Sequence, residues 1–555
     1  MKLIYDVEDK PKFNKLLVFA LQQVLAIMAA TIAVPTIIGL PTQIPAAILG
    51  AGLGTIVYLL FTKFKSPVII SSSFAFLSSL GSALAFGYCG IIVGGILAGL
   101  VYVVIAIIIH FAGTSWVSKI MPPVIIGPTV ALIGLSLAGS AMGDIVKASV
   151  GTAVNASYNL VALLCGLITF ITVVICSTQK RFKMGRLIPF ILGIGAGYAV
   201  AAFFSIFGYT LDVDYLKIIN WAPLVNNFKV LGDAAASAGD KVQAFLTYPD
   251  FALIEAIKEM VNGSTEVGKT YFFESAAGFG EVAIAFIPVA LVVFAEHIAD
   301  HKNLSSIINR DLVEGEPGLK RTLLGDGVGS IVGTVFGICP NTTYGESVGC
   351  VAITRNASVS TIFTAAIMCI ILSFISPIMS LLETIPSCVM GGVCLTLYGF
   401  IAVSGLKMFK DIDLGENKNL FTVSAILIAG IGGLAIKIPY HIAGSDVLDK
   451  AGKVVMVAGT VDKTITITSI ATALILGIIT YAVINAVEKR NAKLPDDSDE
   501  IDTKENAINA PVMAESTYEV GVDVTTLGEN KDEAANETKA ETVENTAETV
   551  EENKD

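Results

Sequence analysis

Runs of 17–22 residues with almost no charge recur along most of this chain, the length a helix needs to cross a hydrocarbon core. Inside lipid every backbone N–H and C=O must be paired within the protein, so such a chain is confined to an all-α polytopic membrane protein or a closed barrel, and runs of this length select helices. Hydropathy gives about fourteen segments, near 16–36, 44–62, 67–81, 90–111, 122–139, 157–177, 187–208, 282–300, 322–338, 340–353, 359–379, 385–404, 419–437 and 465–487. The opening residues Met1–Lys10 mix both charge signs and lack a short apolar core with a small-residue cleavage site, so they are expected to stay on the mature protein.

An even number of segments puts both ends on one side. Lys63, Lys65, Lys119, Lys180, Arg181, Lys183, Arg186, Lys302, Arg310, Lys320, Arg321, Arg355, Lys407, Lys410, Lys489 and Arg490 all follow even-numbered segments. The positive-inside rule therefore places both termini in the cytoplasm of a cell whose plasma (inner) membrane holds the chain. The formal net charge of −12 is a property of the end of the chain, because residues 491–555 hold 19 Asp+Glu against 5 Lys. Repeating Glu, Thr, Ala and Asn without apolar periodicity, 491–555 is expected to be a disordered cytoplasmic tail on a transporter body spanning 1–490. Residues 209–281 form a long stretch of mixed polarity between a first repeat (14–208) and a second (282–490), with Tyr209, Tyr215, Trp221, Tyr248 and the run Tyr271-Phe272-Phe273. It reads as an ordered outer loop without a binding role. All eight cysteines lie in apolar segments without CxxC spacing and read as small buried hydrophobes.

Two segments are built differently. The third, Pro-Val-Ile-Ile-Ser-Ser-Ser-Phe-Ala-Phe at 67–76, and the tenth, Cys-Pro-Asn-Thr-Thr-Tyr-Gly-Glu at 339–346, are short, begin at or beside proline and cluster hydroxyls. Each is third in its half of the chain. Interrupted segments at matching places point to inverted repeats whose broken, β-like elements meet at a midplane binding site.

Ionisable residues inside membrane segments mark function, since a charge at the helix centre costs at least ~2.5–3.5 kcal/mol on insertion scales. Glu296 and Asp300, four apart, share one helix face, and Glu346 follows Gly345 in the tenth segment. A carboxylate in a low-dielectric cavity can exchange protons near neutral pH, as coupling to a proton gradient requires. Na+ would also accept such oxygen ligands. His297 and His301 read as interfacial or packing residues on other faces of the same helix. Gly345 lets a ligand approach the backbone, and the break there exposes amide donors without intrahelical partners. An acceptor carboxylate beside free donors suits a small planar ligand with alternating N–H and C=O groups, such as a nucleobase edge. An inorganic anion would instead be repelled.

Asn341-Thr342-Thr343-Tyr344-Gly345-Glu346, Ala295-Glu296-His297-Ile298, Ser72-Ser73-Phe74-Ala75-Phe76, Pro122-Pro123, Val389-Met390-Gly391-Gly392 and Leu397-Tyr398-Gly399 together resemble the nucleobase–cation symporter-2 (nucleobase–ascorbate transporter) family, within it the bacterial uracil permease branch. The resemblance spans most of residues 14–490. It implies two inverted seven-segment repeats forming a core and a gate domain, a proton-coupled nucleobase importer, and a homodimer through the gate. By motif it implies that Glu296 and Glu346 bond the base, that backbone at Phe74 and Gly345 adds contacts, that Tyr398 faces the ligand from the gate, and that Asp300 serves proton coupling with Glu296.

Two positions depart from the uracil pattern. Asp300 stands where that branch often has His and purine-transporting relatives have Asp, and Ser347 stands where Asn usually follows the Glu, so a changed base preference is expected there. Glu346 itself favours uracil, since purine members generally carry Gln at that position; a xanthine, urate or guanine permease is the alternative. An anion exchanger or channel of the same architecture would show a basic residue and no carboxylates at the breaks. No metal-ligand cluster, nucleophile elbow or phosphate loop stands out, so neither an enzyme nor a bound cofactor is expected.

Overall fold

The computed structural model describes residues 3–148, 158–179, 185, 188–233, 236–262, 276–443, 447–448, 454–456 and 460–491. The acidic tail beyond Asn491, the Tyr271-Phe272-Phe273 run and the cations Lys180, Arg181, Lys183 and Arg186 lie outside them. One compact unit spans Met1–Val487, and the second, Glu488–Asp555, is described through Asn491.

All fourteen segments occur in the expected order. The first seven are α1 (Phe13–Ile37), α2 (Ile44–Phe61), a broken third built of β1 (Ile70–Ser72), a 3-10 turn at Phe74–Phe76 and α3 (Leu77–Leu84), then α4 (Gly87–Ala112), α6 (Pro123–Asp144), α7 (Leu160–Thr178) and α8 (Pro189–Leu211), with the short connector α5 (Ser115–Ile120) after α4. The second seven are α12 (Ala276–Ile308), α13 (Leu319–Gly337), a broken tenth built of β2 (Asn341–Thr343) and α14 (Gly345–Thr354), then α15 (Val359–Ser373), α17 (Ser387–Lys407), α18 (Asn417–Ile431) and α19 (Ser469–Asn491), with the connector α16 (Ser376–Glu383) after α15. Between the halves lie α9 (Ala222–Gly232), α10 (Ala238–Gln243) and α11 (Ala252–Asn262). Among the described residues nine helices are long and apolar enough to span a bilayer by themselves; the rest of the count comes from the broken pair, the glycine-rich α13 and the fifteen-residue α15 and α18.

The thirteenth segment is shorter than hydropathy implies. The chain leaves α18 at Gly432–Gly433, where Gly433 adopts φ +72°, a left-handed turn glycine takes without strain. The following apolar residues form β3 (Ile436–Ala443), paired antiparallel with β6 (Thr460–Ile467), while β4 (Val447–Leu448) pairs with β5 (Val454–Met456). Alternation of apolar and polar side chains in Ile436-Lys437-Ile438 is a strand signal that segment-length hydropathy averages away.

Packing separates two helix groups. Helix α13 lies against α2 and α4, α2 against α15, and α12 against α4, making a core; α6 lies against α17 and α18, and α7 against α8 and α17, making a gate. Close approach in the core depends on glycine. A Cβ on Gly50 would lie 2.6 Å from the Gly333 carbonyl oxygen, and one on Gly327 would lie 2.7 Å from that of Gly99. Lipid supplies no hydrophobic drive between helices, so this backbone contact is what holds α13 in place.

The stretch after α8 is laced onto the α15–α16 turn. Thr247 N–H donates to Phe374 O (3.1 Å), Ser376 N–H donates to Phe245 O (3.1 Å), and the Ser376 hydroxyl donates to Asn227 Oδ1 (2.6 Å). Beside this lacing a second cavity of about 480 Å³ is lined in part by Asp240, Asp250 and Glu383. Burial, and then the charge of Asp250, push the Glu383 carboxyl up to about 7; burial followed by Glu255 raises Asp250, opposed by Lys258. Both acids hold their protons more tightly when docked than when released. Their stabilisation is therefore complete below the ordinary carboxylate range; that of Glu383 is lost as pH rises through about 7, and that of Asp250 as pH rises through its own raised value. Hydrogen exchange of residues 222–248 is expected to accelerate between about pH 5.5 and about pH 8.5 beyond the intrinsic base-catalysed increase, and Glu383→Gln is expected to flatten that excess.

Candidate functional site

The two broken segments meet. Strands β1 and β2 pair antiparallel in the register Ile70↔Thr343, Ser71↔Thr342 and Ser72↔Asn341, and Ser73 N–H adds a bond to Pro340 O at 3.0 Å. Side chains satisfy what the short ladder leaves over: the Thr55 hydroxyl is 3.1 Å from both the N–H and the carbonyl oxygen of Ile70, and Asn341 Nδ2 donates to Gly50 O (2.9 Å). Each strand then turns directly into the start of a helix. The first helical bond of α14 is Val348 N–H to Tyr344 O, so the amides of Gly345, Glu346 and Ser347 precede the helix ladder.

A cavity of about 640 Å³ opens beside this crossing. Its lining includes Glu296 and Asp300 from α12, Glu346 and Gly345 from α14, Thr342, Thr343 and Tyr344, and Ser73 and Phe74 from the other break. Thr343 donates its hydroxyl hydrogen to Asp300 Oδ2 at 3.1 Å. One Glu346 carboxylate oxygen, the Tyr344 hydroxyl and the Ser73 hydroxyl are buried without a partner. Each such group costs about 1–3 kcal/mol, so three around one cavity call for a polar ligand with matching groups. Gly345 is exposed, and a Cβ built there would meet only Asp300 Oδ1 at 3.6 Å, so any side chain at this position would occupy ligand space. From the acids the cavity runs along Asn303, Ile353, Ser404 and Lys407, with Ser177 and Pro189 opposite. Seven residues of helix separate Glu346 from Ile353, about 10 Å at ~1.5 Å per residue, all toward the face that carries the N-terminal strand-like stretch at Tyr5. Among the described residues no group of three or more His, Cys, Asp or Glu side chains is arranged to hold a metal.

With this geometry in place, similarity to known proteins is informative. The profile of the Permease family matches residues 14–438. The chain belongs to this family, the nucleobase–cation symporter-2 permeases. It is 37% identical over 440 residues to the uracil permease of Bacillus caldolyticus, covering 79% of this chain and 90% of that one. It is 35% identical to the uracil permease of Bacillus subtilis (strain 168), covering 79% and 90%, and 31% identical to that of Escherichia coli (strain K12), covering 78% and 88%.

The permease fold brings Glu296, Asp300, Glu346, Gly345 and Phe74 to one cavity, and leaves Tyr398 off its wall. Tyr398 is 2% exposed and packs edge-on against Phe74, ring centroids 5.1 Å apart at 90°, so it bears on the cavity through that ring. Sequence reasoning passed over Tyr344, Asn303, Ser404 and Lys407. Asn303 lies three residues beyond Asp300 and seven beyond Glu296, and Phe400, Ser404 and Lys407 are spaced four and three, so helical periodicity alone would have put each on the cavity face.

His297 and His301 take the packing alternative rather than the interfacial one: both are at most 1% exposed and enter a buried polar chain. His297 Nδ1 lies 2.7 Å from Asp326 Oδ2 and its Nε2 lies 3.0 Å from the Thr322 hydroxyl. Ser347 does not face the cavity either. Its hydroxyl donates to Gln23 Oε1 (2.9 Å) and accepts from Ile69 N–H (3.1 Å), tying α14 to α1 and to the start of the other break. Ser347→Ala is therefore expected to cost about 1–3 kcal/mol of stability by stranding buried groups, with the order of competing bases unchanged. Thermal-shift and competition assays on the same variant check both halves.

Proposed function

We propose that this permease is a proton-coupled symporter importing a nucleobase, foremost uracil, across the plasma (inner) membrane by alternating access. The observation that carries the reading is one cavity in which two carboxylates, Glu296 and Glu346, stand beside unpartnered hydroxyls and the start of α14, whose first amides precede the helix ladder. A nucleobase edge alternates N–H donors with C=O acceptors. Glu296 and Glu346 accept its N–H groups, while amides at Gly345 and Phe74 donate to its carbonyls, and the Phe74 ring, braced by Tyr398, covers a face. The identity of the relatives supports uracil as the base.

Asp300 is the coupling acid. It lies one helical turn from Glu296, is 6% exposed and holds a single side-chain bond, from Thr343, so it can gain or lose a proton without dismantling the site. Two adjacent buried carboxylates resist being ionised together, so a proton enters the set along with the neutral base. On this reading, with both termini in the cytoplasm, the end of the cavity lined by Ile353 and Lys407 is its inner end, and the conformation is taken as inward-facing. The core, which carries both breaks, then moves against the gate to expose the same acids outside.

Glu346→Gln replaces one acceptor by a donor and is expected to abolish uracil uptake or to shift preference toward xanthine; unchanged uracil affinity would remove Glu346 from the site. Asp300→Asn is expected to spare uracil binding while abolishing accumulation driven by a pH gradient, and full gradient-driven accumulation by this variant would remove Asp300 from coupling. Repeating uptake with Na+ replaced by choline separates the two ions: the proton reading expects no change. Asp300 also favours a purine as the second reading, and competition of labelled uracil uptake by xanthine, guanine and urate decides between them.

A further inference from the structure

Helix α11 (Ala252–Asn262), in the stretch between the two halves, is too short to cross a membrane, yet two of its faces avoid water-seeking side chains. Ala252, Ala256 and Glu259, spaced four and three, are buried and rest on α4. Tyr88 N–H donates to a Glu259 carboxylate oxygen at 2.8 Å, and the Cys89 thiol donates to Ala256 O at 3.5 Å. A Cβ on Gly87 would lie 2.5 Å from Glu259 Oε2, so glycine at the start of α4 is what lets α11 come this close.

The second apolar face is open. Leu253, Ile254, Ile257 and Val261 are between 40% and 80% exposed. At ~100° per residue they fill an arc of about 100°, the width of a stripe that normally faces a core. Lys258 and Glu255, paired at 2.6 Å, occupy the remaining side. Going round the helix, a protein face, an exposed apolar face and a charged face follow in turn.

The seat of α11 says what covers the exposed face. Cys89, which meets Ala256, begins a stripe along α4 in which Val93, Leu97, Leu100, Val104 and Phe111 follow at helical spacing. Val93 and Leu97 are half-buried, and the last three are exposed, as suits the lipid-facing side of a membrane helix. Helix α4 has 26 residues, about 39 Å at ~1.5 Å per residue against about 30 Å of hydrocarbon, so its ends reach headgroup level. Its first turn, on which α11 rests, is the end away from Lys119; with both termini in the cytoplasm it is the outer end.

We propose that α11 is an in-plane membrane anchor whose Leu253, Ile254, Ile257 and Val261 face lies among the acyl chains of the outer leaflet, just below the headgroups, with Lys258 and Glu255 turned to water. The anchor extends the lipid-facing stripe of α4 at the level where that helix meets the interface. It travels with the core, because α11 also lies against α13, and Phe251 just before it meets Phe336 of α13 with ring centroids 6.0 Å apart. The outer stretch is then fixed to the bilayer through α11 and to the core through its lacing onto the α15–α16 turn.

The test uses the full chain reconstituted in phosphatidylcholine liposomes, with a nitroxide on one added cysteine per variant: Ile257→Cys, Val261→Cys, Lys258→Cys or Ile107→Cys. The eight native cysteines are buried, and protein without an added cysteine gives their labelling background. Ile107, exposed on α4, is the lipid reference, and Lys258 is the water reference. Collision with dissolved oxygen, which enters lipid, is compared with collision with a water-soluble nickel chelate. The oxygen-to-nickel ratio at 257 and at 261 is expected to exceed that at 258 by about threefold or more and to approach that at 107, as for a helix seated in the interface. Labels at 257 and 261 that meet the nickel chelate as freely as the one at 258 overturn the anchor, because the face then lies in water. Labels shielded from both collision partners also overturn it, because protein, such as a second copy of this chain, then covers the face.

Discussion

The three-residue ladder between β1 and β2 is the interaction on which the rest depends. A backbone that stops being helical in the middle of a bilayer must find partners from elsewhere in the protein, and here each break finds most of them in the other. Pairing the strands antiparallel sends their helices away in opposite directions, so two helix starts converge on one point. Thr55, Asn341 and Ser347 complete the satisfaction and fix the register against α2 and α1. Of the side-chain groups left unpaired at the crossing, one oxygen of Glu346 and the hydroxyls of Tyr344, Ser73 and Thr342 belong to residues that line the cavity. The site is thus the residue of a backbone problem otherwise solved.

That arrangement constrains the helices around it. The crossing is wedged between α2, α13 and α12, and it fits because glycines let α13 touch α2 and α4 backbone to backbone. The same closeness fully buries Asp326, His297 and Thr322, so their bonds to one another are strong and their exposure would be expensive. Core rigidity and the buried polar chain therefore have one origin. The gate uses glycine in the same way, since a Cβ on Gly405 of α17 would lie 2.4 Å from the Gly127 carbonyl oxygen of α6, and it presents to the cavity chiefly the Phe400, Ser404 and Lys407 edge of α17.

Much of this was legible in the residues because the bilayer imposes simple rules. Segment number and order follow from the length of apolar runs, and the breaks at 67–76 and 339–346 announce themselves by proline and hydroxyl clusters where neither suits a membrane helix. Glu296, Asp300 and Glu346 stand out because charge is rare at that depth. The histidines stayed open between interfacial and packing roles for a physical reason: a side chain near the end of an apolar run has the same local sequence whether it meets headgroups or a buried Asp326 from a helix some thirty residues away. The bond of Ser347 was hidden similarly, since its partner Gln23 lies 324 residues distant and no local pattern encodes it. The hairpin at β3 and β6 was hidden by hydropathy averaging over a window longer than the strand.

The relation between Asp300 and the histidine chain bears on why a carboxylate can stand at this position. On the proton-coupled reading proposed above, the site needs a group that binds a proton in one conformation and sheds it in the other. A histidine there would do so as a cation, a carboxylate as an anion, and the surroundings must supply opposite compensation. In this chain Asp326 has an imidazole partner, His297 at 2.7 Å, while Asp300 takes its bond from the Thr343 hydroxyl at 3.1 Å. A proton shared along the Asp326–His297 bond sits on oxygen or on nitrogen without changing the net charge of the pair, which lowers the cost of burying it in a medium that penalises charge. Asp300, bonded by a neutral hydroxyl, is not matched in that way, which on the proposed reading suits it to take up the coupled proton.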